Sequence, residues 1–133
     1  MAITATGFLS TLAGLTITGV NERATPPQQV NAGALPIGYP RLPESEAGAA
    51  TFTSVTGLRS LRCEYVILIN PLTLSRNSTN HGAAATAMDN LHTALATEAA
   101  ANNQIDSWAM RMDVEEIGDT AYWSVVATVE ASE

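Results

Sequence analysis

Two histidines and one cysteine are the residues of this chain of 133 that could act as a nucleophile, a general base or a soft metal ligand. His81 and His92 fall in a segment predicted to be helical, where their spacing corresponds to about 16 Å along the axis, too far to share one metal ion. Asp89 stands three residues before His92 and is placed to hydrogen-bond to it. Cys63 alternates with apolar residues on a predicted strand, which is typical of a buried free thiol. These patterns favour solvated histidines and a structural cysteine over a Cys–His catalytic pair.

Four carboxylates, Asp113, Glu115, Glu116 and Asp119, straddle a predicted hairpin turn. A loose calcium site is one interpretation, but the spacing does not match an EF-hand loop, and a solvated turn is favoured. The sequence contains no glycine-rich phosphate loop, no HExxH and no GxSxG pattern. We therefore predict no catalytic residue, no metal site, no cofactor and no enzymatic activity.

The charge of the chain is unevenly distributed along its length. Thirteen acidic residues oppose six basic ones, all of them arginine, for a net charge of −7. Residues 1–88 carry a net +1 and residues 89–133 a net −8. A protein that holds nucleic acid by neutralising phosphates needs a basic face, so this class is excluded. A hydrophobic content of 46% predicts a folded chain that needs no disulfide or metal.

The first residues read as a helix rather than as a targeting signal. They lack a cationic start, and threonine and serine interrupt the apolar run well short of the roughly 20 residues that span a membrane. We expect no membrane association. An intracellular protein or one assembled into a particle is the expectation.

Hydrophobic periodicity predicts one α+β domain over residues 1–133, with an antiparallel sheet of four to five strands, one long and one short helix packed on it, and a projecting β-hairpin. The three prolines of residues 35–43 favour an edge strand or extended segment over a central strand. In the closing hairpin, the face with two tryptophans and two methionines is expected to lie under the long helix. The predicted elements in chain order are a helix at 3–13, a strand at Leu15–Val20, a loop at 21–34, an extended segment at 35–43, a flexible connection at 44–50, hairpin arms at 51–55 and 58–70, a helix at 82–101, and hairpin arms of alternating residues at Trp108–Glu115 and Trp123–Val129.

The loops and the first hairpin are long for a monomeric domain, and such segments are typical contact surfaces. Arginines near the hairpin turn suit interface ion pairs because guanidinium is weakly hydrated and bidentate, although solvated surface arginines explain them equally well. The candidate subunit or partner contacts are Arg59, Arg62, Pro26, Pro27, Tyr39 and Arg41.

Taken in order, these elements resemble the tail terminator (tail completion) proteins of long-tailed bacteriophages, contractile or not. The resemblance covers nearly the whole chain and is one of pattern. It rests on the short apolar N-terminal helix, the strand Leu15–Val20, the Pro26-Pro27 loop, the segment Leu35–Pro40, and the long hairpin that leads into Tyr65–Pro71. The single helix and the closing hairpin complete it.

The resemblance implies a structural virion protein of the tail-neck region, assembled in the host cytoplasm. Such a protein forms a homo-hexameric ring that caps the tail tube, ends its polymerisation and joins the head connector. DNA passes through without specific binding, so Asp113, Glu115, Glu116 and Asp119 become candidate lumen residues whose charge repels the duplex.

Two alternatives remain. In the first, the chain is another structural protein of the phage: a neck or head-completion protein, or a minor tail or baseplate subunit. In the second, it is a cytosolic ligand-binding or enzymatic α+β domain with a pocket between the long helix and the sheet.

Overall fold

The computed structural model describes residues 4–42, 50–54, 57–72, 77–102 and 105–132. Within these ranges the chain forms two α-helices, a short 3₁₀ turn at Ala32–Ala34, and six strands. The helices are α1 (Ala5–Ala13) and α2 (Asn77–Asn102), and the strands are β1 (Asn21–Glu22), β2 (Ile37–Arg41), β3 (Ala50–Ser54), β4 (Gly57–Pro71), β5 (Ile105–Ile117) and β6 (Thr120–Ser132).

Five strands lie side by side in the order β1-β2-β4-β6-β5, and β3 pairs with the first part of β4. Leu61 pairs with Ala50 of β3 and with Ala131 of β6, so β3 lies on the same side of β4 as β2. All pairs are antiparallel except β1 with β2, which is parallel. The α+β class is confirmed, but the sheet is mixed rather than purely antiparallel.

One face of the sheet, the helix face, holds the main core. Every second residue of β4 from Leu61 to Ile69 lies on this face and is buried under the helices. Leu91 and Leu95 of α2 and Phe8 and Leu12 of α1 pack against them. Helix α1 begins where the Thr4 hydroxyl accepts a 3.0 Å hydrogen bond from the Gly7 N–H, a side-chain cap.

The closing hairpin also packs largely as predicted. Trp108, Met110, Met112 and Trp123 are partly buried against the main core. Val114 continues the same alternation but is 41% exposed, so the helices do not cover this face of β5 as far as its end.

The opposite face of the sheet, the second face, has a smaller core. The loop between β1 and β2 contributes Val30, Ala34 and Leu35 to it, and Ile117 packs there from the end of β5. Its buried members are Ile37, Tyr39, Val66, Leu68, Tyr122 and Val126.

The predicted strand at Leu15–Val20 is wrong. Leu15 and Ile17 are buried as the alternation predicts, but Gly19 has φ 75° and turns the chain, so no ladder forms. The Ile17 N–H instead donates to the Glu22 carboxylate at 2.7 Å, and pairing begins only at β1. In this segment the alternation of apolar and polar residues reflects which side chains are buried, although no strand forms.

The proline-rich segment is predicted to be an edge strand or an extended segment, but its strand pairs on both sides. Strand β2 lies between β1 and β4, and Ile37 and Gly38 pair on both sides. Strand β1 ends before Pro40, so this proline lies on a stretch that β1 does not cover, where a missing N–H costs no ladder bond. Gly38 is required because a Cβ there would lie 2.8 Å from the Tyr65 hydroxyl.

The first hairpin and the long helix lie where the sequence predicts them. The β3–β4 ladder reaches Ser54–Gly57, whereas the β4–β6 ladder starts at Ser60–Ser132, so the hairpin extends past β6. Helix α2 begins five residues earlier than predicted and ends one residue later. The flexible connection predicted at 44–50 lies almost wholly outside the described residues.

Candidate interaction surface

Five charged side chains meet on the second face beside its small core. Arg41 donates from Nε to Glu64 Oε1 at 2.9 Å, and its two terminal nitrogens reach the Glu115 carboxylate at 2.7 and 2.8 Å. Arg111 and Asp113 join them from β5. We call Arg41, Glu64, Arg111, Asp113 and Glu115 the ion cluster.

The centre of the cluster is shielded from solvent. The side chains of Arg41, Glu64 and Glu115 are 15%, 12% and 15% exposed. They come from β2, β4 and β5, so the bidentate bond from Arg41 to Glu115 crosses above β4 and β6. Bidentate Arg–carboxylate pairs are among the stronger hydrogen bonds in proteins. Removing one partner leaves the other charges half-buried without compensation.

Two opposing effects act on the Arg41 guanidinium. Burial disfavours its charged form, but hydrogen bonds to Glu115 and Glu64 outweigh burial and hold the pKa of Arg41 above its usual range. The arginine therefore stays charged, and the cluster does not switch by losing this proton.

The rim of the cluster lies on β5. Arg111 is 3.2 Å from Asp113 and 3.5 Å from Glu64, and both Arg111 and Asp113 are nearly half exposed. The other Asp113 oxygen accepts the Val114 N–H at 2.8 Å. That backbone hydrogen bond is the main reason that the pKa of Asp113 lies below its usual range, with Arg111 adding to the effect.

A separate, more exposed ion pair lies beyond the cluster on the same face. Arg62 contacts Glu130 at 2.9 Å with both side chains nearly half exposed, and Ser107 donates to the same carboxylate at 3.3 Å. Exposed pairs of this kind contribute little to stability.

Three of the predicted contact residues keep accessible surface, Tyr39 is buried, and Arg41 is largely covered by its ion pairs. Pro26 is exposed, Pro27 is partly exposed, and Arg62 is accessible in its pair with Glu130. Tyr39 is 1% exposed within the small core, so it is not part of a surface in this structure. Arg41 is held by Glu64 and Glu115. Arg59 lies on β4, and its side chain is outside the described part of the chain.

The four predicted lumen carboxylates do not form one acidic patch. Glu115 is bound to Arg41 and Asp113 to Arg111, whereas Glu116 points to the opposite face because successive strand residues alternate. Glu116 and Asp119 are exposed near the β5–β6 turn. We keep the lumen hypothesis as a prediction for Glu116 and Asp119, the two exposed carboxylates nearest the turn.

The structure places the three groups that the sequence marked as potential nucleophile or base either in the core or on the exposed side of α2. Cys63 is fully buried, and burial raises the pKa of its thiol to about 12, which disfavours the reactive thiolate. His81 and His92 both lie on α2 and are exposed. His92 Nδ1 accepts a 3.1 Å hydrogen bond from Trp108 Nε1 rather than bonding to Asp89.

Sequence reasoning missed the side-chain contacts that join distant segments, and two of them illustrate why. Arg41 and Glu115 are 74 residues apart and His92 and Trp108 are 16 apart. No spacing rule covers these pairs. The surplus of arginine before residue 88 and of carboxylate after it was the available signal.

A cavity of about 390 Å³ opens beside the first half of α2. Thr18, Gly19, Val20 and Pro36 form one wall, and α2 residues between Gly82 and Asn90 form the other. The Asn90 amide donates to the Thr18 carbonyl at 3.2 Å and ties the two walls together. Among the described residues, no charged side chain lines this cavity.

Comparison with protein-family models, with curated proteins and with solved structures finds no match for this chain. Among the described residues, no group of three or more His, Cys, Asp or Glu side chains is placed to hold a metal ion. In the same ranges, neither helix combines the length and apolar character that crossing a bilayer requires.

Proposed function

We propose that this chain is the subunit of a ring that caps the tail tube of a long-tailed bacteriophage, ends tube polymerisation and provides the surface for the head connector. The observation that carries the proposal is the order of elements on one sheet. A short helix, a proline-rich strand, a long hairpin, a single long helix and a closing hairpin follow one another, with the main core under the helices. This is the order on which the resemblance rests, except for the strand expected at Leu15–Val20, which does not form.

The surfaces of the domain support a role in assembly. A ring subunit needs two different contact surfaces, because a head-to-tail interface joins unlike patches of neighbouring copies. Here one side of the sheet ends in the extended β3–β4 hairpin and the other in the 13-residue strand β5. The resemblance sets the expected number of copies at six.

Growth of tail tubes in the presence of this protein tests the proposal. Purified tail-tube protein polymerises alone into tubes of open-ended length, and substoichiometric addition of this chain is expected to stop growth, with a ring at one tube end by negative-stain microscopy. Unchanged tube length at saturating concentration contradicts the proposal. Binding to the head connector without any effect on tubes would instead favour another neck or head-completion protein.

Passage of DNA gives a second, independent test. In the proposed ring, Glu116 and Asp119 at the β5–β6 turn line the lumen and repel the duplex. The Glu116→Lys/Asp119→Lys variant is expected to retain duplex DNA in rings, measured by filter binding at low salt. The matched control places the same charge change on α2 as Asp89→Lys/Glu98→Lys, and equal retention by both variants would remove these residues from the lumen.

The cavity beside α2 favours one second candidate, a small-ligand-binding domain. Its volume is within the range of small-molecule sites, and its walls are mainly apolar with a few polar groups. A panel of apolar ligands is expected to raise the melting temperature of the wild type but not of Ala83→Leu, which fills the cavity. No shift with any ligand removes this candidate.

A further inference from the structure

The outer edge of β5 carries hydrogen-bonding groups that no strand of the described ranges uses. The hairpin of β5 and β6 closes with a two-residue turn, which makes Ile117 and Thr120 a hydrogen-bonded pair. Because hydrogen-bonding direction alternates along an antiparallel strand, the even-numbered residues of 108–116 direct their N–H and C=O groups away from β6. The Val114 N–H accordingly donates to the Asp113 carboxylate at 2.8 Å. This edge can therefore form a second ladder.

The β5 edge is long and regular. From Ser107 to Ile117 its pairing with β6 has no register shift. Short strands, prolines and bulges are the common means of blocking an edge, and within the described ranges the opposite side of the sheet has two of them. Strand β1 has two residues, and β3 has two register shifts. Of the two sides, β5 is the better suited to accept a strand.

Three side chains of β5 keep much of their surface exposed along this edge. Arg111 and Asp113 are nearly half exposed on the second face, and Val114 is exposed to a similar degree on the helix face. The two charges are opposite and two positions apart on one face. An antiparallel strand of the same sequence can therefore offer each of them a partner of opposite charge.

Charge selects one register for such a pair of β5 strands. A two-fold axis at Met112 sets each Arg111 directly opposite Asp113 of the second copy, and opposite charges in that position stabilise a strand pair. An axis one residue away, at Arg111 or at Asp113, sets like charges opposite each other, which is destabilising. An axis at Met110 sets Arg111 opposite Ala109 and forms no cross-strand ion pair. The register centred on Met112 is thus favoured over its neighbours.

We propose that two copies of this chain associate through their β5 edges, antiparallel about a two-fold axis at Met112. The contact joins the two sheets through about ten main-chain hydrogen bonds. The Val114 N–H exchanges the Asp113 carboxylate for the Met110 carbonyl of the second copy, and Asp113 binds Arg111 of the second copy instead. On the helix face, Met110 of the second copy covers the exposed Val114 side chain and removes apolar surface from water.

This contact is isologous, so it closes with two copies and does not build a ring. The dimer itself does not depend on the proposed function, but its role does. Strand β5 is one of the two sides of the sheet that a subunit of the proposed ring offers to its neighbours, and in the dimer this side is covered. The dimer is therefore a reserve form of the protein away from the tube, and it opens before β5 contacts another subunit.

Complementary charge variants test the pairing. Arg111→Asp sets carboxylates against each other across the axis, and Asp113→Arg does the same with guanidinium groups. Each variant alone is expected to dimerise about tenfold more weakly than the wild type in sedimentation. Their equimolar mixture should dimerise like the wild type, because every carboxylate then faces a guanidinium. Both variants keep a net negative charge, so neither general attraction nor misfolding accounts for a recovery.

Cysteine crosslinking locates the axis. Met112→Cys is expected to form a disulfide between two copies, since directly opposed Cα atoms of a hydrogen-bonded pair lie about 5.5 Å apart. Met110→Cys is the matched control on the same face of β5, because its opposite residue is Val114 of the second copy and it should not crosslink to itself. The native Cys63 thiol is buried and does not interfere.

The other outcomes overturn the inference. A wild-type chain that stays monomeric at high concentration, or that forms larger assemblies without the Met112→Cys disulfide, does not use this contact. Dimers of unchanged strength in both charge variants, or no recovery in their mixture, exclude the pairs of Arg111 with Asp113. A disulfide from Met110→Cys but not from Met112→Cys excludes this axis.

Tube capping is measured separately and distinguishes the two proposals. A dimer that forms as expected while tubes grow unchecked sustains the inference and contradicts the proposed function. Capping by a chain that is strictly monomeric in solution does the reverse.

Discussion

The two faces of the sheet are stabilised in different ways. The helix face is covered by α1 and α2 over an apolar core, whereas the second face joins a small apolar core to an ion cluster. Burial on the helix face follows from local alternation and helical spacing. The second face depends on partners 23 and 74 residues apart in the chain. On the second face, charges that are far apart in the sequence are therefore paired in space.

The largest expected effect is on the helix face. Leu91→Ala removes a fully buried side chain between α2 and the sheet and is expected to lower the free energy of unfolding by about 3 kcal/mol. Urea denaturation measures it, with Thr97→Ala on the exposed side of α2 as the control. A loss below about 1 kcal/mol would mean that the helix is not the main cover of this core.

The ion cluster should show a smaller but coupled effect. Arg41→Met leaves Glu64 and Glu115 half-buried without their main cation and is expected to cost about 2 kcal/mol. Adding Glu115→Gln should recover part of that loss, so the two changes are non-additive in a double-mutant cycle. Additive losses would contradict the coupling between β2 and β5.

Alkaline pH should weaken the helix face through Cys63. The thiol has a pKa of about 12 when folded against 9.0 for the free group, so the folded state keeps a proton that the unfolded state loses. Stability is then unaffected below about pH 9 and falls toward pH 12, by at most about 1.4 kcal/mol per pH unit from this group. The pKa of Tyr65 is also raised by burial, which adds to the loss above pH 10.

Cys63→Ala isolates the contribution of the thiol. Denaturation at about pH 8 and about pH 10.5 should give a shallower decline for this variant than for the wild type. Identical slopes would show that the thiol is not buried in solution.

The smallest effect is expected at the exposed pair of the second face. Arg62→Ala should change the free energy of unfolding by less than about 0.5 kcal/mol, since both Arg62 and Glu130 are nearly half exposed. Chemical denaturation of this variant and of Arg41→Met in parallel compares the contribution of an exposed arginine with that of a shielded one. A loss equal to that of Arg41→Met would contradict the assigned difference in burial.

Local patterns predicted most of the fold. Alternation located the hairpins, and helical spacing located α2. The strand at Leu15–Val20 failed because a buried, alternating segment needs no ladder when a glycine at positive φ turns the chain. The sequence predicts Tyr39 and Arg41 as contact residues because it does not reveal that the loop before β2 packs against the core around Tyr39, or that Glu64 and Glu115 hold Arg41.

The position of β6 has a consequence for biosynthesis. This strand is the last described in the chain, yet it occupies the middle of the sheet and joins β4 to β5. While β6 is still inside the ribosome, the nascent chain already contains the hydrophobic β3–β4 hairpin, and the edge of β4 that will pair with β6 is unpaired. Such intermediates are prone to aggregation, so translational pausing before Thr120 should lower the yield of folded protein more than pausing elsewhere.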